Sequence, residues 1–533
     1  MLQQDVSFET SQEVLQQDLL LLQQQEEGRA SKGMGILPFL EGKHVLITGA
    51  TGFIGKVLVE KILREQPGVG QLYLLIQPTA RATAEQRLQQ QIIPSPAFSL
   101  LRERHGEGYE AFMAGKLTAV QGNVGEEGLG LADDAAAALH ESVDLIFNFA
   151  ATVDFEARYD VALNINTLGP RRLLAFAKKC RRLELLVHVS TDVSKAASAE
   201  EVAAAVEAHL SALGADRWVA VWAFDNSLAS DSDEGRVGAR TFGWQDAYAL
   251  CKAMGEMALV EHREGAEGEG EGEGEGEGGE ARVPVVVVRP SIVESALQEP
   301  MPGWIEGFRV ADPVLMAFGK GAIPGFHAQP DGICDIIPVD LLANAILAVA
   351  ASNAKPPRSA IPSTSKHHLP RVYHVTSSVT NPLCFSGLFA ATTKHFAATP
   401  MKRKDGTAIS VSNMIAFPWP CLFMAAIWFQ YELPRLLVTL DPRTGPAQKQ
   451  QQAAKLTKRH NQYKRLAKLY MPYCFGKALF DSSNMEDLFS AMSPEEQRKF
   501  NFNVRNIDWT HYLCQVHFPG LRKFVLKEKE KAP

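Results

Sequence analysis

The sequence predicts an α/β protein built on a doubly wound parallel sheet, followed by a mainly helical C-terminal domain. Short apolar runs of strand length alternate with longer helical stretches between residues 44 and 288. These runs are continuously hydrophobic, which is typical of strands buried on both faces of a sheet. A glycine-rich turn follows the first run and precedes a helical pattern.

Six apolar runs define the predicted sheet. They lie at residues 44–48, 72–76, 117–121, 144–149, 185–189 and 285–288. Because helical stretches separate them, the strands are expected to run parallel, joined by crossover helices. Six such strands complete a Rossmann-type, nucleotide-binding sheet.

The chain divides into three predicted regions. Residues 1–35 form a flexible extension, 36–355 the Rossmann-type domain and 356–533 the C-terminal domain. A glutamate and glycine tract at 264–280 interrupts the second region. Glycine entropy and carboxylate repulsion prevent such a tract from forming a core, so it is expected to be a disordered surface insertion. An acidic docking tail is the alternative.

Composition excludes several classes of protein. The 533 residues are 46% hydrophobic and 22% charged, which indicates a globular chain with a sizeable core. The whole chain has a net charge of −7, and the tract alone holds eight glutamates. The rest of the chain is therefore nearly neutral and has no basic field that would indicate nucleic-acid binding. Seven dispersed cysteines without metal-ligand spacing predict reduced thiols and no metal site. The N-terminal residues show no secretory or transit pattern, so an intracellular protein is expected.

The C-terminal region contains a candidate membrane contact. Residues 406–431 are uncharged and rich in aromatic side chains, with Pro418 and Pro420 among them. They predict a membrane-seated or substrate-channel hairpin, with a membrane span or ordinary core as alternatives. From Asp441 onward the sequence contains 17 Lys and Arg residues but only 9 Asp and Glu residues. This excess suits an anionic membrane surface or a phosphorylated carrier, although a solvated helix face is an equal alternative.

The turn TGATGFIG at residues 48–55 predicts a dinucleotide site. Two glycines permit a tight turn close to a pyrophosphate, a third lets helix and strand pack closely, and the helix N-terminus offers free N–H groups. The predicted contacts in this turn are Gly49, Thr51, Gly52, Phe53, Ile54 and Gly55.

The segment after the second strand indicates which dinucleotide binds. Ile76 is followed by no acidic residue until Glu85, so a 2′-phosphate is not repelled, and Arg81 could bind it. NADPH is therefore predicted rather than NADH. The further predicted cofactor contacts are Asn123, Val124, Ala150, Ala151, Thr152, Tyr248, Lys252, Pro290, Ile292 and Val293.

Tyr248 and Lys252 are predicted to be catalytic. They lie four residues apart on one face of a predicted helix. A nearby ammonium should lower the pKa of the phenol from about 10 toward working pH and make it a general acid for a carbonyl oxygen. Ser190 and Thr191, at the end of the fifth strand, could hydrogen-bond the same oxygen, with Thr191 preferred. Cys251 is interpreted as a structural thiol rather than a nucleophile.

These motifs resemble the extended short-chain dehydrogenases and, more narrowly, the plant-type alcohol-forming fatty acyl-CoA reductases. The resemblance is carried by TGATGFIGKVLVEKILR at 48–64, FNFAATVDF at 147–155, VRPSIVESALQEPMPGW at 288–304 and the segment 473–527. It implies NADPH-dependent reduction of a long-chain acyl-CoA or acyl-carrier-protein thioester, through an aldehyde, to a primary fatty alcohol, as in wax biosynthesis. It also implies that Tyr248 protonates the oxyanion while Lys252 and Thr191 hold the geometry. Membrane association is expected, first at the endoplasmic reticulum, with plastid or peroxisome as alternatives.

The chain departs from its relatives at two places. Asp192 and Val193 follow Thr191 where relatives commonly carry Ala and Tyr, and Gln77 stands where an arginine is often found. Three other functions stay open from sequence. They are an extended dehydrogenase acting on a sterol, sugar or flavonol, a reductase that stops at the aldehyde, and a catalytically silent NADP-binding, membrane-associated protein.

Overall fold

The structure is a computed structural model that describes residues 33–154, 158–192, 246–264, 283–354, 370–443, 445–476 and 478–528. Most of the predicted N-terminal extension, residues 193–245 and nearly all of the glutamate and glycine tract lie outside the described residues.

Seven parallel strands form the central sheet, in the order β10-β6-β5-β4-β1-β2-β3. The strands of the described residues are β1 Val45–Thr48, β2 Leu72–Ile76, β3 Leu117–Gln121, β4 Leu145–Asn148, β5 Leu185–Val189, β6 Val285–Pro290, β7 Ile292–Glu294, β8 Gly325–His327, β9 Ile336–Pro338, β10 Arg371–Val375 and β11 Ile415–Phe417. The six predicted strands are confirmed as β1 to β6, and the Rossmann-type fold class is confirmed with them. The sequence did not predict β10, which pairs with β6 and comes after residue 355.

The helices are numbered in chain order. They are α1 Ile36–Leu40, α2 Phe53–Glu65, α3 Ala84–Arg87, α4 Ser99–His105, α5 Tyr109–Lys116, α6 Asp133–Ser142, α7 Tyr159–Ala162, α8 Leu168–Ala177, α9 Ala247–Glu264, α10 Asp312–Gly319, α11 Val339–Asn353, α12 Phe385–Ala398, α13 Pro420–Ile427, α14 Leu433–Leu440, α15 Pro446–Cys474, α16 Ser483–Ser490, α17 Pro494–Lys499, α18 Trp509–His511 and α19 Phe518–Gly520. Wider helical turns extend several of them, at Leu88–Ile92, Leu163–Thr167, Trp428–Glu432, Tyr512–His517 and Leu521–Val525.

Helices cover both faces of the sheet. In β1, Val45 and Ile47 belong to one hydrophobic cluster and Leu46 to another, because successive side chains of a strand point to opposite faces. Helices α2 and α11 pack together on the first face, and α8 and α9 on the second. All four strand positions of β1 and of β4 are buried, which explains their continuous apolar sequence.

The C-terminal region packs onto this body. Helix α16 contacts β10, and α12 packs against Tyr512–His517. The Glu496 carboxylate accepts hydrogen bonds from the backbone N–H groups of Met34, Gly35 and Ile36 at 2.8, 2.7 and 3.1 Å. A side chain from near the C-terminus therefore holds the start of α1.

A buried polar junction joins β7 to the C-terminal region. His517 Nε2 lies 2.9 Å from Asp312 Oδ1, His517 Nδ1 lies 3.1 Å from Ser295 Oγ, and the Tyr512 hydroxyl donates to the Ser295 carbonyl at 2.7 Å. Burial and the charge of Asp312 raise the pKa of Glu294 well above its usual range. Although Glu294, Asp312 and His517 offer ligand atoms within 4.8 Å of one another, the histidine already uses both ring nitrogens. We interpret the cluster as a structural junction.

Helices α13 and α14 form one continuous helix from Pro420 to Leu440, which packs against α15 as a helical hairpin. Within the described residues it is the one helix long and apolar enough to cross a membrane, and only 17% of its apolar stretch is buried. The exposed apolar side chains on and beside it are Trp419, Leu422, Met424, Trp428, Phe429, Leu436, Leu437 and Leu440.

The close packing of α9 gives a test of the fold. A Cβ atom at Gly255 would lie 2.3 Å from the Asn166 carbonyl oxygen, so Gly255→Ala should lower the free energy of unfolding by about 1–3 kcal/mol through overpacking. Gly115→Ala in α5, where a Cβ meets open space, should instead be neutral or raise stability by about 0.5–1 kcal/mol. Denaturant unfolding of both variants measures the difference, and equal effects would contradict the described packing.

Candidate active site

The glycine turn lies where the strand order reverses, between β1 and β4. Gly49 has a φ of +71°, and a Cβ there would lie 2.8 Å from Ala150 N at the end of β4. At Gly55 a Cβ would lie 2.6 Å from the Gly49 carbonyl oxygen. Gly52 is exposed at the N-cap of α2, with Thr51 and Ile54 half-buried beside it. Only glycine fits this turn, which opens at the crevice where doubly wound sheets bind dinucleotides.

The Phe53 ring points into the protein rather than into the crevice. It stacks on Trp304 with ring centroids 5.2 Å apart, and the Arg309 guanidinium lies 4.2 Å from its centroid. Lys56 Nζ, one turn further along α2, contacts Glu306 at 2.5 Å. Because the Phe53 ring packs against Trp304 and Arg309, only the backbone N–H of Phe53, at the first position of α2, is available to contact a phosphate.

Hydrogen bonds fix the backbone after β4 along the crevice. Thr48 Oγ1 donates to Asn148 Oδ1 at 2.6 Å and accepts from Ala150 N at 3.1 Å. The buried Asn166 amide accepts from Thr152 N at 2.9 Å and donates to its carbonyl at 3.0 Å. The predicted contacts of this segment, all half-buried, are Ala150, Ala151 and Thr152. Sequence reasoning missed Asn166, because nothing in its local pattern indicates the contact.

Two arginines lie after β2. Arg81 is exposed in a turn closed by the backbone pair of Thr79 and Ala82. Arg87 Nη1 donates to the Gln77 carbonyl at 2.6 Å. Arg87 was not predicted and is a second candidate for a 2′-phosphate.

The turn after β3 is shaped by its own side chain. Asn123 Oδ1 accepts from Gly125 N at 2.9 Å, and its amide donates to Glu126 at 2.8 Å. Val124 is buried against the core. The Asn123 side chain therefore orders the turn, and the backbone there faces the same edge of the sheet as the glycine turn.

The structure brings Tyr248, Lys252 and Thr191 together. Lys252 is buried, and its ammonium donates to the Val189 carbonyl at the end of β5 over 2.9 Å. The half-buried Tyr248 hydroxyl is hydrogen-bonded to the Thr191 side chain. Of the two predicted hydroxyls, Thr191 is therefore the one that contacts the tyrosine.

The predicted direction of the Tyr248 pKa is wrong in this structure. Burial raises the pKa to about 12, while the Thr191 hydrogen bond opposes this and the charge of Asp246 adds to it. Lys252 does not lower the pKa because its ammonium is directed to the Val189 carbonyl. The phenol is therefore protonated at neutral pH, which is the form a general acid needs.

Burial also acts on Lys252. It lowers the pKa of the ammonium to about 8, although the carboxylate of Glu256 one turn later opposes the shift. Glu256 in turn binds Arg289 Nε through both oxygens at 3.1 Å. His188 of β5 is buried as well, and burial followed by the charge of Lys252 lowers its pKa well below the usual range. The histidine is neutral, so Lys252 and Arg289 carry the positive charge here.

The Ser190 and Ser291 hydroxyls lie at this edge of the sheet. Ser190 Oγ and Ser291 Oγ are buried and form no hydrogen bond within the described residues. Leaving such a group unsatisfied costs about 1–3 kcal/mol, which a bound ligand would offset. Of the predicted contacts after β6, Pro290 is buried, whereas Ile292 and Val293 are half-buried and pair with β9.

The departure at Asp192 has a structural consequence. Its side chain is buried and pairs with His374 of β10, the strand that was not predicted. Burial raises the pKa of Asp192 to about 6, against the opposing effect of His374. The Asp192 backbone N–H also binds the Pro290 carbonyl at 2.9 Å. Asp192, the residue after Thr191, is therefore held by β6 through its backbone and by the edge strand β10 through its side chain.

A dinucleotide crevice beside a helix that presents tyrosine and lysine defines an extended short-chain dehydrogenase or reductase. Two family models, both described as male sterility protein, match residues 47–346 and 446–528, the first as a NAD-binding domain. The chain is 37% identical to fatty acyl-CoA reductase 2, chloroplastic, of Arabidopsis thaliana, covering 93% of this chain and 80% of that protein. It is 32% identical to the alcohol-forming fatty acyl-CoA reductase of Simmondsia chinensis, covering 92% and 99%. The chain belongs to the fatty acyl-CoA reductase family.

Solved structures support the same fold. The terminal reductase domain of the myxalamid biosynthetic pathway superposes with a TM-score of 0.52 at 17% identity, covering 91% of this chain and 92% of that domain. The reductase domain of a nonribosomal peptide synthetase from Mycobacterium tuberculosis gives 0.51 at 18% identity, covering 91% and 93%. At this identity the likeness is one of fold.

The pKa of Lys252 predicts a pH limit for activity. Since the ammonium loses its proton near pH 8, kcat/KM for NADPH oxidation should be highest below pH 8 and fall as pH rises through that value. Lys252→Arg keeps its charge beyond pH 12, so its profile should lack this limb even if its rate is lower. The same limb in the arginine variant would show that another group titrates.

Proposed function

We propose that this protein reduces long-chain fatty acyl-CoA to a primary fatty alcohol through an aldehyde, with NADPH as reductant. The main observation in support is the position of the Tyr248 hydroxyl. It is hydrogen-bonded to Thr191, one helical turn from the buried Lys252, at the same end of the sheet as the glycine turn. The Simmondsia chinensis relative, named as alcohol-forming, supports the alcohol as product.

The crevice fits a dinucleotide because glycine at positions 49 and 55, where a Cβ would collide with backbone atoms, permits the tight turn before α2. Ser190 and Ser291 also offer hydroxyls that have no partner among the described residues. NADPH would supply the hydride for each reduction step. The α2 N-terminus would hold its pyrophosphate, and Arg81 or Arg87 its 2′-phosphate.

The side chains divide the work at the substrate carbonyl. Thr191 and the Tyr248 hydroxyl bind the carbonyl oxygen, and Tyr248 donates its proton as negative charge develops there. Lys252, anchored to the Val189 carbonyl, holds α9 in place so that the Tyr248 hydroxyl stays beside Thr191. The first reduction gives a hemithioacetal. Its hydroxyl then returns a proton to Tyr248 as the C–S bond breaks, the thiolate leaves and takes a proton from solvent, and an aldehyde remains. The same residues protonate the aldehyde oxygen in a second round.

Membrane contact belongs to this proposal. Trp428, Phe429 and Leu437 are 41%, 62% and 59% exposed on the hairpin of residues 420–440 and α15. The neighbouring α15 carries a cationic series, namely Lys449, Lys455, Lys458, Arg459, Lys464, Arg465 and Lys468. Exposed aromatic side chains beside basic residues suit an anionic lipid surface. We place the reaction at the endoplasmic reticulum, with plastid or peroxisome as alternatives; one relative is chloroplastic.

Tyr248→Phe tests the catalytic assignment. Loss of the proton donor should lower kcat by about 10²–10⁴-fold while NADPH still binds, since the glycine turn is untouched. The measurements are fatty alcohol formed from a panel of acyl-CoA and carrier-protein thioesters, and NADPH fluorescence titration. Tyr73→Phe, whose hydroxyl contacts His44 at the opposite end of the sheet, is the matched control.

The products formed in this assay distinguish the proposed function from its alternatives. Full alcohol formation by Tyr248→Phe would exclude the tyrosine as the acid. Aldehyde accumulation by the parent protein would show a reductase that stops after one step. NADPH binding without turnover of any thioester would favour a silent, NADP-binding protein.

The hairpin surface can be tested with vesicles. Replacing Trp428, Phe429 and Leu437 by Ser should reduce co-sedimentation with vesicles containing an anionic phospholipid, because it removes the apolar contact area. High salt should weaken parent binding, since charges on α15 are screened. Leu479→Ser, at a residue 61% exposed outside the hairpin, should bind as the parent does. Equal binding of the triple variant would contradict the surface assignment.

A further inference from the structure

The first turn of the catalytic helix depends on the carboxylate of Asp246. This residue directly precedes α9 and is buried. Its Oδ1 accepts a hydrogen bond from Ala249 N at 2.8 Å, which is the contact of an N-cap side chain. Its backbone carbonyl accepts from Leu250 N at 3.2 Å. Tyr248 lies within the turn that Asp246 caps.

The second oxygen of this carboxylate is bound by the C-terminal region. The Tyr473 hydroxyl donates to Asp246 Oδ2, from the last turn of α15 and across 227 residues of sequence. Burial, followed by the charge of Asp246, raises the pKa of Tyr473 well above its usual range, and the nearby Tyr248 adds to it. The Tyr473 hydroxyl therefore keeps its proton and remains a donor. Each carboxylate oxygen of Asp246 thus accepts a hydrogen bond, one from α9 of the Rossmann-type domain and one from α15 of the C-terminal region.

Helix α15 also forms the hairpin surface. It packs against Trp428–Glu432 and α14 along its length, and its final turn reaches Asp246. One continuous helix, which contains Pro472 in its last turn, thus connects the exposed aromatic surface with the helix that bears Tyr248.

We propose that Tyr473 is a positioning residue, which holds Asp246 and through it the first turn of α9, so that the C-terminal region sets the place of Tyr248. The proposal rests on the proposed function of Tyr248. Without the Tyr473 hydroxyl, Asp246 keeps its contact with Ala249 and loses its tie to α15. Tyr248 then samples positions away from the substrate oxygen, while the glycine turn on the other side of the crevice is unchanged.

Tyr473→Phe removes one oxygen atom and is the main test. We expect kcat with acyl-CoA and NADPH to fall about tenfold, less than the hundredfold that a 1 Å displacement can cause. KM for NADPH and its dissociation constant by fluorescence should stay near the parent values, whereas the unfolding temperature should fall because the buried Asp246 Oδ2 loses its donor. Tyr463→Phe is the matched control, because it lies on the same helix, stacks on Tyr431 and has no contact with Asp246. Its kcat should equal that of the parent.

A second series keeps the test independent of Tyr473. Asp246→Asn retains an acceptor for Ala249 N, so its kcat should lie between those of the parent and Asp246→Ala, which loses both contacts. Combining Tyr473→Phe with Asp246→Ala should lower kcat no further than Asp246→Ala alone, because both changes break the same connection.

The outcomes separate the two proposals. An unchanged kcat in Tyr473→Phe overturns the positioning role, and so does a fall in kcat that is matched by an equal loss of NADPH binding. If the parent forms alcohol and Tyr248→Phe does not, the proposed function stands whatever Tyr473→Phe does. If Tyr248→Phe is fully active, the proposed function fails first, and any effect of Tyr473→Phe then has another cause.

Discussion

The site depends on one buried interaction, the hydrogen bond from the Lys252 ammonium to the Val189 carbonyl. A charged amine has a high desolvation cost, so it stays buried only where an acceptor and opposing charge meet it. The carbonyl at the end of β5 is that acceptor, and Glu256 supplies the charge. Because Lys252 is anchored to the strand, α9 is held against β5, and Tyr248 comes to lie beside Thr191. The position of the proposed general acid therefore depends on where β5 ends.

The sequence predicted six of the seven parallel strands for a physical reason. Strands buried on both faces are apolar throughout, as in β5, and this pattern is visible without any tertiary knowledge. The missed strand β10 lies at the edge of the sheet, where Arg371 is exposed and Tyr373 alternates with half-buried neighbours. A short edge strand with polar residues has no such signature. It nevertheless completes the site, because His374 on it binds Asp192.

Only part of the site could be predicted from the sequence. Local motifs could be predicted, whereas contacts between residues distant in sequence could not. The glycine turn and the tyrosine and lysine pair depend on spacings of a few residues, so they could be predicted. Asn166 and Tyr473 act through partners 14 and 227 residues away, which no local motif encodes. The pKa of Tyr248 could not be predicted either, because it depends on burial more than on the neighbouring lysine.

The C-terminal region bears on the chemistry through the same logic of buried charge. Asp246 is a carboxylate beside the proposed general acid, and its charge raises the pKa of Tyr248. A bare carboxylate there would oppose the phenolate that forms when Tyr248 gives up its proton. The Tyr473 hydroxyl and Ala249 N–H disperse that charge by donating to both oxygens. The arrangement thus caps the helix with an acid while limiting the effect of that acid on the tyrosine. One of the two donors, Tyr473, comes from the helix whose basic surface we propose to face lipid.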